Sequence, residues 1–184
     1  MTTRLFGGLA LLSLLVAPQP MTLQTDSQLW VTGTSTVRDY KCSATRIDGA
    51  LQGETAATLG ELGSAVRGVS VRVPVAMLAC GNGKMDEHMR KALKADANPT
   101  ISYENVSHEV SGSTVTMKGK LTIAGTERPV TMTATAVQEA NGVIRVRGSK
   151  DILMTEYGVK PPSLMMGTLK VRDAVTVHFD MLLK

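Results

Sequence analysis

The sequence predicts an all-β protein, an eight-stranded antiparallel barrel with one short helical insertion. Three observations lead there. Apolar and polar residues alternate with a period of two in segment after segment, which puts one row of side chains on each face of a strand. The segments are separated by turn-length connections, so neighbours in sequence run antiparallel. One face is apolar throughout, and about eight such strands can close on themselves, leaving an interior that side chains fill or that holds one small ligand.

The first strands are Leu29 to Ser35 and Tyr40 to Leu51, rich in Thr, Val and Tyr and joined by a short polar connection. Gly60 to Ser64 then marks a loop. Val69, Val71 and Val73 alternate with Ser70 and Arg72 until Pro74 closes the strand. Lys84 to Leu93 breaks the rule of two: Met85, Met89 and Leu93 recur four residues apart and align on one face of a short helix. Asp86 and Glu87 near its start and Lys91 and Lys94 near its end suit the helix dipole. Because it interrupts a regular run of strands, this helix is expected to lie over one end of the barrel. Asn98-Pro99 ends it, and strands resume at Thr100 with Ile101 and Tyr103 two apart.

Val115, Met117, Leu121 and Ile123 alternate with Thr116, Lys118, Lys120 and Thr122, and Gly119 in the apolar row marks a bulge or a bend. Val130, Met132, Ala134 and Ala136 alternate with threonines, so this strand offers small inner residues that leave room. Asn141-Gly142, favoured in two-residue hairpin turns, precedes Ile144 and Val146, which alternate with Arg145 and Arg147. The clearest strand comes last: Val175, Val177, Phe179, Met181 and Leu183 against Thr176, His178 and Asp180.

At 184 residues, 43% of them hydrophobic, one domain with a substantial core is expected. Aromatic residues are only 3%, so that core is built from Val, Leu, Ile, Ala and a share of the 11 methionines, which fill gaps or suit a long, variable ligand. Residues 1–20 read as an export signal, a short positive start followed by an apolar stretch from Leu5 to Ala17 that is too short to span a bilayer. Val16-Ala17-Pro18 is no clean small-x-small cleavage pattern, which leaves the cleavage site, and an uncleaved anchor, open. Removal deletes only Arg4 among the charges and lowers the formal charge of +4 by one. The remaining Lys and Arg interleave with acids and Thr instead of forming a stripe, which argues against a nucleic-acid groove. Cys42 and Cys80, an even pair in an exported chain, suit a disulfide closing a loop of about forty residues, worth roughly 3 to 4 kcal/mol; two independent buried thiols are the alternative.

Signals for catalysis are sparse. His88, His108 and His178 have no Cys or carboxylate at metal-ligand spacing and read as structural or solvated. Asp86, Glu87 and His88 are consecutive, do not share a helix face, and read as a solvated helix start. Ser35, Ser64 and Ser163 lack a Gly-x-Ser-x-Gly context, and Cys80 has no histidine nearby in sequence. Gly81-Asn82-Gly83 is a turn, too short for a phosphate loop. No catalytic residue, metal site or cofactor is assigned.

Several stretches carry a family likeness. Gly33-Thr34-Ser35-Thr36-Val37-Arg38-Asp39-Tyr40 resembles the first-hairpin motif of YceI-like proteins. Met85-Asp86-Glu87-His88-Met89-Arg90, followed by Asn98-Pro99-Thr100-Ile101-Ser102-Tyr103, looks like the family's helix and the strand after it. Gly119-Lys120-Leu121-Thr122-Ile123-Ala124-Gly125-Thr126-Glu127-Arg128-Pro129-Val130 is similar to its Gly-x-Leu-Thr-Ile-x-Gly hairpin, and Tyr157-Gly158-Val159 resembles an aromatic-Gly-(Ile/Val) element. The matches span roughly Leu29 to Leu183.

The resemblance implies a lipocalin-like barrel over residues 21–184 in a periplasmic or secreted bacterial protein, with an isoprenoid or similar amphiphile in the cavity. The residues expected to bind it are Val69, Val71, Val73, Met89, Ile101, Tyr103, Val115, Met117, Leu121, Ile123, Met132, Ile144, Val146, Val175, Val177 and Phe179. A polar head would be met at the mouth by side chains such as Lys84, Arg90 or Lys160. The partners are thus a lipid-like ligand and no nucleic acid, with no stable membrane span after signal removal and with room for a homodimer. The alternative is a filled barrel acting, ligand-free, as an envelope stress or interaction protein.

Overall fold

The period-two segments become eleven antiparallel strands in the computed structural model, which describes residues 21–54 and 58–184. The expected export signal, residues 1–20, lies outside the described residues. The strands are β1 (Gln28–Ser35), β2 (Tyr40–Ala44), β3 (Asp48–Gly53), β4 (Val66–Pro74), β5 (Leu78–Ala79), β6 (Thr100–Ser111), β7 (Thr114–Ile123), β8 (Thr126–Gln138), β9 (Ile144–Leu153), β10 (Ser163–Leu164) and β11 (Leu169–Leu183). Two helices, α1 (Leu62–Ala65) and α2 (Gly83–Ala92), accompany them. The pairing order is β3-β4-β6-β7-β8-β9-β11-β1-β2-β5, with β10 beside β11.

The count exceeds eight for identifiable reasons. Tyr40 to Leu51 is two strands: Thr45 turns away to donate its N–H to the Met77 carbonyl at 2.8 Å, and Arg46 pairs with Asp48 at 2.8 Å. As a result β2 pairs with β1 and β5, whereas β3 pairs with β4. Strands β5 and β10 hold two residues each, too few to show a period.

The ladder does not close either, because β3 and β5 are the two ends of the path. The expected barrel thus takes the form of a curled sheet with a seam between these two strands. The chain itself crosses that seam twice. β2 runs into β3 through residues 45–47, and β4 runs into β5 through a 3-10 turn at Val75–Met77. At the end of the barrel that holds the C-terminus, Leu23 bridges to Leu183, and Thr22 and Lys184 exchange backbone bonds of 2.7 and 3.0 Å.

That end is solid. Met21, Leu62, Val66, Val115, Ala134, Ala136, Ile144, Val146, Phe179 and Leu183 form one buried cluster, with Val69, Met117 and Met132 packed against it. Gly60 to Ser64, expected as a loop, is a 3-10 turn leading into α1, and these turns put Leu59 and Leu62 into the core as a plug. Ala134 and Ala136 leave no room, contrary to expectation. The Phe179 ring fills the space, lying so close over Gly148 that a Cβ there would sit 2.5 Å from Cζ. The irregularity expected at Gly119 falls on its partner strand, where the register shifts between Asn105 and Ser107. Gly119 instead makes way for the Tyr103 ring, 2.5 Å from where its Cβ would be. Asn141 and Gly142 take positive φ of 61° and 74°, the left-handed pair a tight hairpin turn needs.

Candidate ligand-binding site

The other half of the barrel is hollow. A cavity of about 450 Å³ lies between the sheet and α2, within the range of roughly 300–1,000 Å³ usual for small-molecule sites. Of the residues expected to bind ligand, Val71, Val73, Met89, Ile101, Tyr103, Leu121, Ile123, Val175 and Val177 line it. Val69, Val115, Met117, Met132, Ile144, Val146 and Phe179 do not; they belong to the packed half. The reason is one of depth: alternation assigns a residue to the inner face but not to a level along the barrel axis.

Helix α2 roofs the cavity with Met85, Met89 and Leu93, the row its sequence period aligned. Its position is fixed from both sides. Asn82 caps it, its side chain accepting from the Lys84 and Met85 N–H groups at 3.0 and 3.3 Å. Asp86, expected as a solvated residue, accepts from the Cys80 N–H at 2.6 Å. Cys80 is disulfide-bonded to Cys42 on β2. The Met89 thioether lies 3.7 Å from the Cys80 sulfur, so bridge and helix pack into one wall.

Sequence reasoning missed much of the opposite wall: Leu29 and Val31 of β1, Ile152 of β9, Met154 and Tyr157 of the following 3-10 turn, and Leu169 and Val171 of β11. Ile152 was accessible, since it keeps phase with Ile144 and Val146. Leu29 and Val31, two apart on β1, were accessible as well; Leu169 and Val171 are cut off from the apolar row of β11 by Asp173, and Met154 and Tyr157 sit where a turn breaks the period. Only Val37, Arg38, Asn82 and Lys84 are both lining and exposed, so the opening lies between the β1–β2 loop and the start of α2. Lys84 is thus on the rim as expected, but Arg90 and Lys160 are not, and Arg38 was missed.

The polar groups inside are few. Burial pushes the Tyr103 phenol up to about 12, and the Tyr40 and Tyr157 phenols are also raised, by desolvation foremost. All three stay neutral at physiological pH. Tyr103 donates to Asn105 at 3.3 Å, and Asn105 contacts His108 Nδ1 at 3.2 Å, leaving His108 Nε2 buried without a partner among the described residues. His88 lines the cavity, whereas His178 faces outward, bonded to Thr32 at 2.9 Å and stacked on Trp30. Among the described residues no three His, Cys, Asp or Glu are placed to hold a metal, and no helix is long and apolar enough to cross a membrane.

The wall is thin in one place. Strands β8 and β9 pair only from Ala134–Gly148 to Gln138–Ile144. Beyond that ladder a second, outer hollow opens beside Arg128, Lys150 and Glu156. It shares Ile152 and Tyr157 with the cavity, so these two side chains form the partition.

Known structures share this architecture. BcnA of Burkholderia cenocepacia superposes with a TM-score of 0.73 at 15% identity, covering 88% of this chain and 99% of that one. A polyisoprenoid-binding domain from Saccharophagus degradans, implicated in plant cell wall breakdown, gives 0.67 at 13% identity over 90% and 98%. The YceI protein of Campylobacter jejuni gives 0.61 at 14% identity over 78% and 83%. A UPF0312 protein of Pseudomonas paraeruginosa is 26% identical over 99 residues, which is 50% of this chain; the chain spans about half the length of that relative, 52%. The YceI-like domain model matches residues 22–183, so the chain belongs to the YceI-like family.

Proposed function

We propose that the protein binds and carries, or sequesters, an isoprenoid or similar long apolar amphiphile in the cavity beneath α2, and that it is a binding protein rather than an enzyme. One observation carries the reading: a hollow of about 450 Å³ walled by Val, Leu, Ile and Met, within a domain whose other half packs solidly. Apolar surface left facing water costs roughly 25 cal/mol per Å², so a cavity of this composition favours an apolar occupant. The hollow also argues against the ligand-free alternative, which needs a barrel filled by its own side chains. Membership of a family with a polyisoprenoid-binding structural neighbour agrees. Aliphatic side chains dominate the lining, which offers no carboxylate and no free thiol.

The site of action is the periplasm or the extracellular space of a bacterium. The apolar start of the chain and the Cys42–Cys80 bridge, a bond that persists in oxidising compartments, support this. The test is gentle purification from the native host, organic extraction and mass spectrometry. A co-purifying isoprenoid chain is expected. An empty extract, together with failure to take up a neutral apolar dye, would return the protein to the ligand-free reading.

A further inference from the structure

We propose that His108, Met117 and Met132, side by side on three neighbouring strands of the packed half, form a site for a soft monovalent cation, Cu(I). His108 of β6 lies opposite Met117 of β7, and Met117 lies opposite Met132 of β8. Directly opposed residues share a face and have Cβ atoms about 5 Å apart. That face is the inner one, since Met117 and Met132 pack against the buried core cluster. On the inside of a curled sheet, side chains of adjacent strands lean toward one another, so one imidazole and two thioethers converge. All three residues are half-buried, which leaves the site unsealed. None of them lines the cavity, so the site stands or falls apart from the ligand reading.

The lead is His108 Nε2, which is buried and has no partner among the described residues. Buried polar atoms are nearly always paired, and an orphan points to a water or an ion. A water needs about two to four polar partners. The opposed side chains offer only thioether sulfur, and Val110, Val115, Gly119 and Ala134 beside them in the inner rows bring no polar side chain. Thioether sulfur is soft and selects Cu(I), and imidazole suits copper too. A single charge also costs less to bury among neutral groups than a double one. The second ring nitrogen is already held: Asn105 lies 3.2 Å from Nδ1, and the Tyr103 hydroxyl lies 3.3 Å from Asn105. With its proton on Nδ1, the ring donates to the Asn105 oxygen, and the amide, turned over, donates to the Tyr103 oxygen. Nε2 then presents a lone pair instead of a stranded N–H. Fixing an imidazole through its other nitrogen is how metal-ligating histidines are usually oriented.

The test titrates the whole disulfide-bonded protein with Cu(I) under anaerobic ascorbate, with bicinchoninate as the coloured competitor. The described residues hold no free thiol, so thiolate cannot account for copper that the protein retains. Withdrawal of a single equivalent from the bicinchoninate complex is expected. Met117→Leu and Met132→Leu nearly conserve volume and keep the fold. Each should weaken retention at least about tenfold, the loss that even groups outside the ligand set bring. Bound Cu(I) should raise the melting temperature of the wild type, as any ligand of the folded state does, but not that of the Met117→Leu/Met132→Leu double variant. In nitrogen-15 NMR the added ion should shift Nε2 of His108 and leave the His88 and His178 rings in place. Failure to retain Cu(I) overturns the proposal, and the orphan nitrogen then belongs to a water. Retention that survives the double variant, an unmoved His108 signal, or preference for Zn(II) overturns it as well. Retention lost in a Met85→Leu/Met89→Leu variant instead would move the copper to the roof of the cavity, and the proposal falls.

Discussion

Asp180 on β11 accepts two bonds of 2.7 Å from Arg145 and one of 3.0 Å from Arg147 of the neighbouring β9, and Arg145 also reaches Glu139 at 3.1 Å. The Asp180 side chain is only 13% exposed. The Arg145 guanidinium foremost, helped by Arg147, holds its carboxyl below the ordinary value of 3.8. A carboxylate whose folded value lies below its unfolded one contributes stability that is fully present above the unfolded value and is lost as pH falls through the folded one. Asp180→Asn should therefore lower the melting temperature at neutral pH, with a difference from wild type that narrows below about pH 4. Trp30 of β1, the sole tryptophan, is stacked on His178 of β11 and reports the transition by its fluorescence. Equal melting temperatures at neutral pH would mean that the cluster is cosmetic. A second residue separates the two halves of the interior: Ala134 is 3% exposed in the packed half and borders no cavity. Ala134→Trp overpacks that core and should cost about 1 to 3 kcal/mol in denaturant titration, with dye uptake unchanged. Loss of uptake at retained stability would place Ala134 on the cavity after all.

At the scale of elements, the bridge joins β2 to the segment that starts the roofing helix, across a sequence separation of 38. Loop-closure entropy predicts that a Cys42→Ala/Cys80→Ala double variant loses roughly 3 to 4 kcal/mol. Because the Cys80 sulfur packs on Met89, the same change should loosen α2 and speed dye release in stopped-flow measurements. Unchanged release at lowered stability would confine the bridge to a structural role. The helix itself was legible because Met85, Met89 and Leu93 repeat at its period, and β11 because five apolar residues alternate without a break. What stayed illegible has local causes. The split of Tyr40 to Leu51 depends on Thr45 finding a partner 32 positions away at Met77. The turns at Leu59–Ala65 are too short for a helical period to appear. Arg38 and Tyr40 line the cavity from a hairpin, where no period exists to point them inward. And Val175, Val177 and Phe179 form one unbroken row of which the first two face the hollow and the third the core.

That row describes the whole molecule, since the same strands make a hollow half and a solid half and the boundary falls between Val177 and Phe179 on β11. Phe179 folds over the wall because Gly148, its cross-strand partner, has no side chain, and its ring lies directly over that glycine. It thus belongs to the packed half that begins beneath the cavity, whose far end the turns at Leu59–Ala65 and Met21 plug. A packed half beneath the cavity limits how much of an extended tail can be buried, so chain length should show a ceiling. In dye displacement by a series of linear alcohols, wild-type affinity should rise with each added methylene by about 0.8 kcal/mol and then level off where the tail meets the packed half. Phe179→Ala opens space at the start of that half, next to Val177 on β11. It should cost about 3 to 5 kcal/mol of stability and move the plateau to longer chains, whereas Phe179→Leu, which keeps more of the volume, should cost less and move it less. The stability loss alone does not decide the matter, because any large-to-small change in this core brings one. The plateau decides: if it stays at the same length in a folded Phe179→Ala protein, the tail never reaches the packed half, and the ligand lies across the barrel under α2 instead of along its axis.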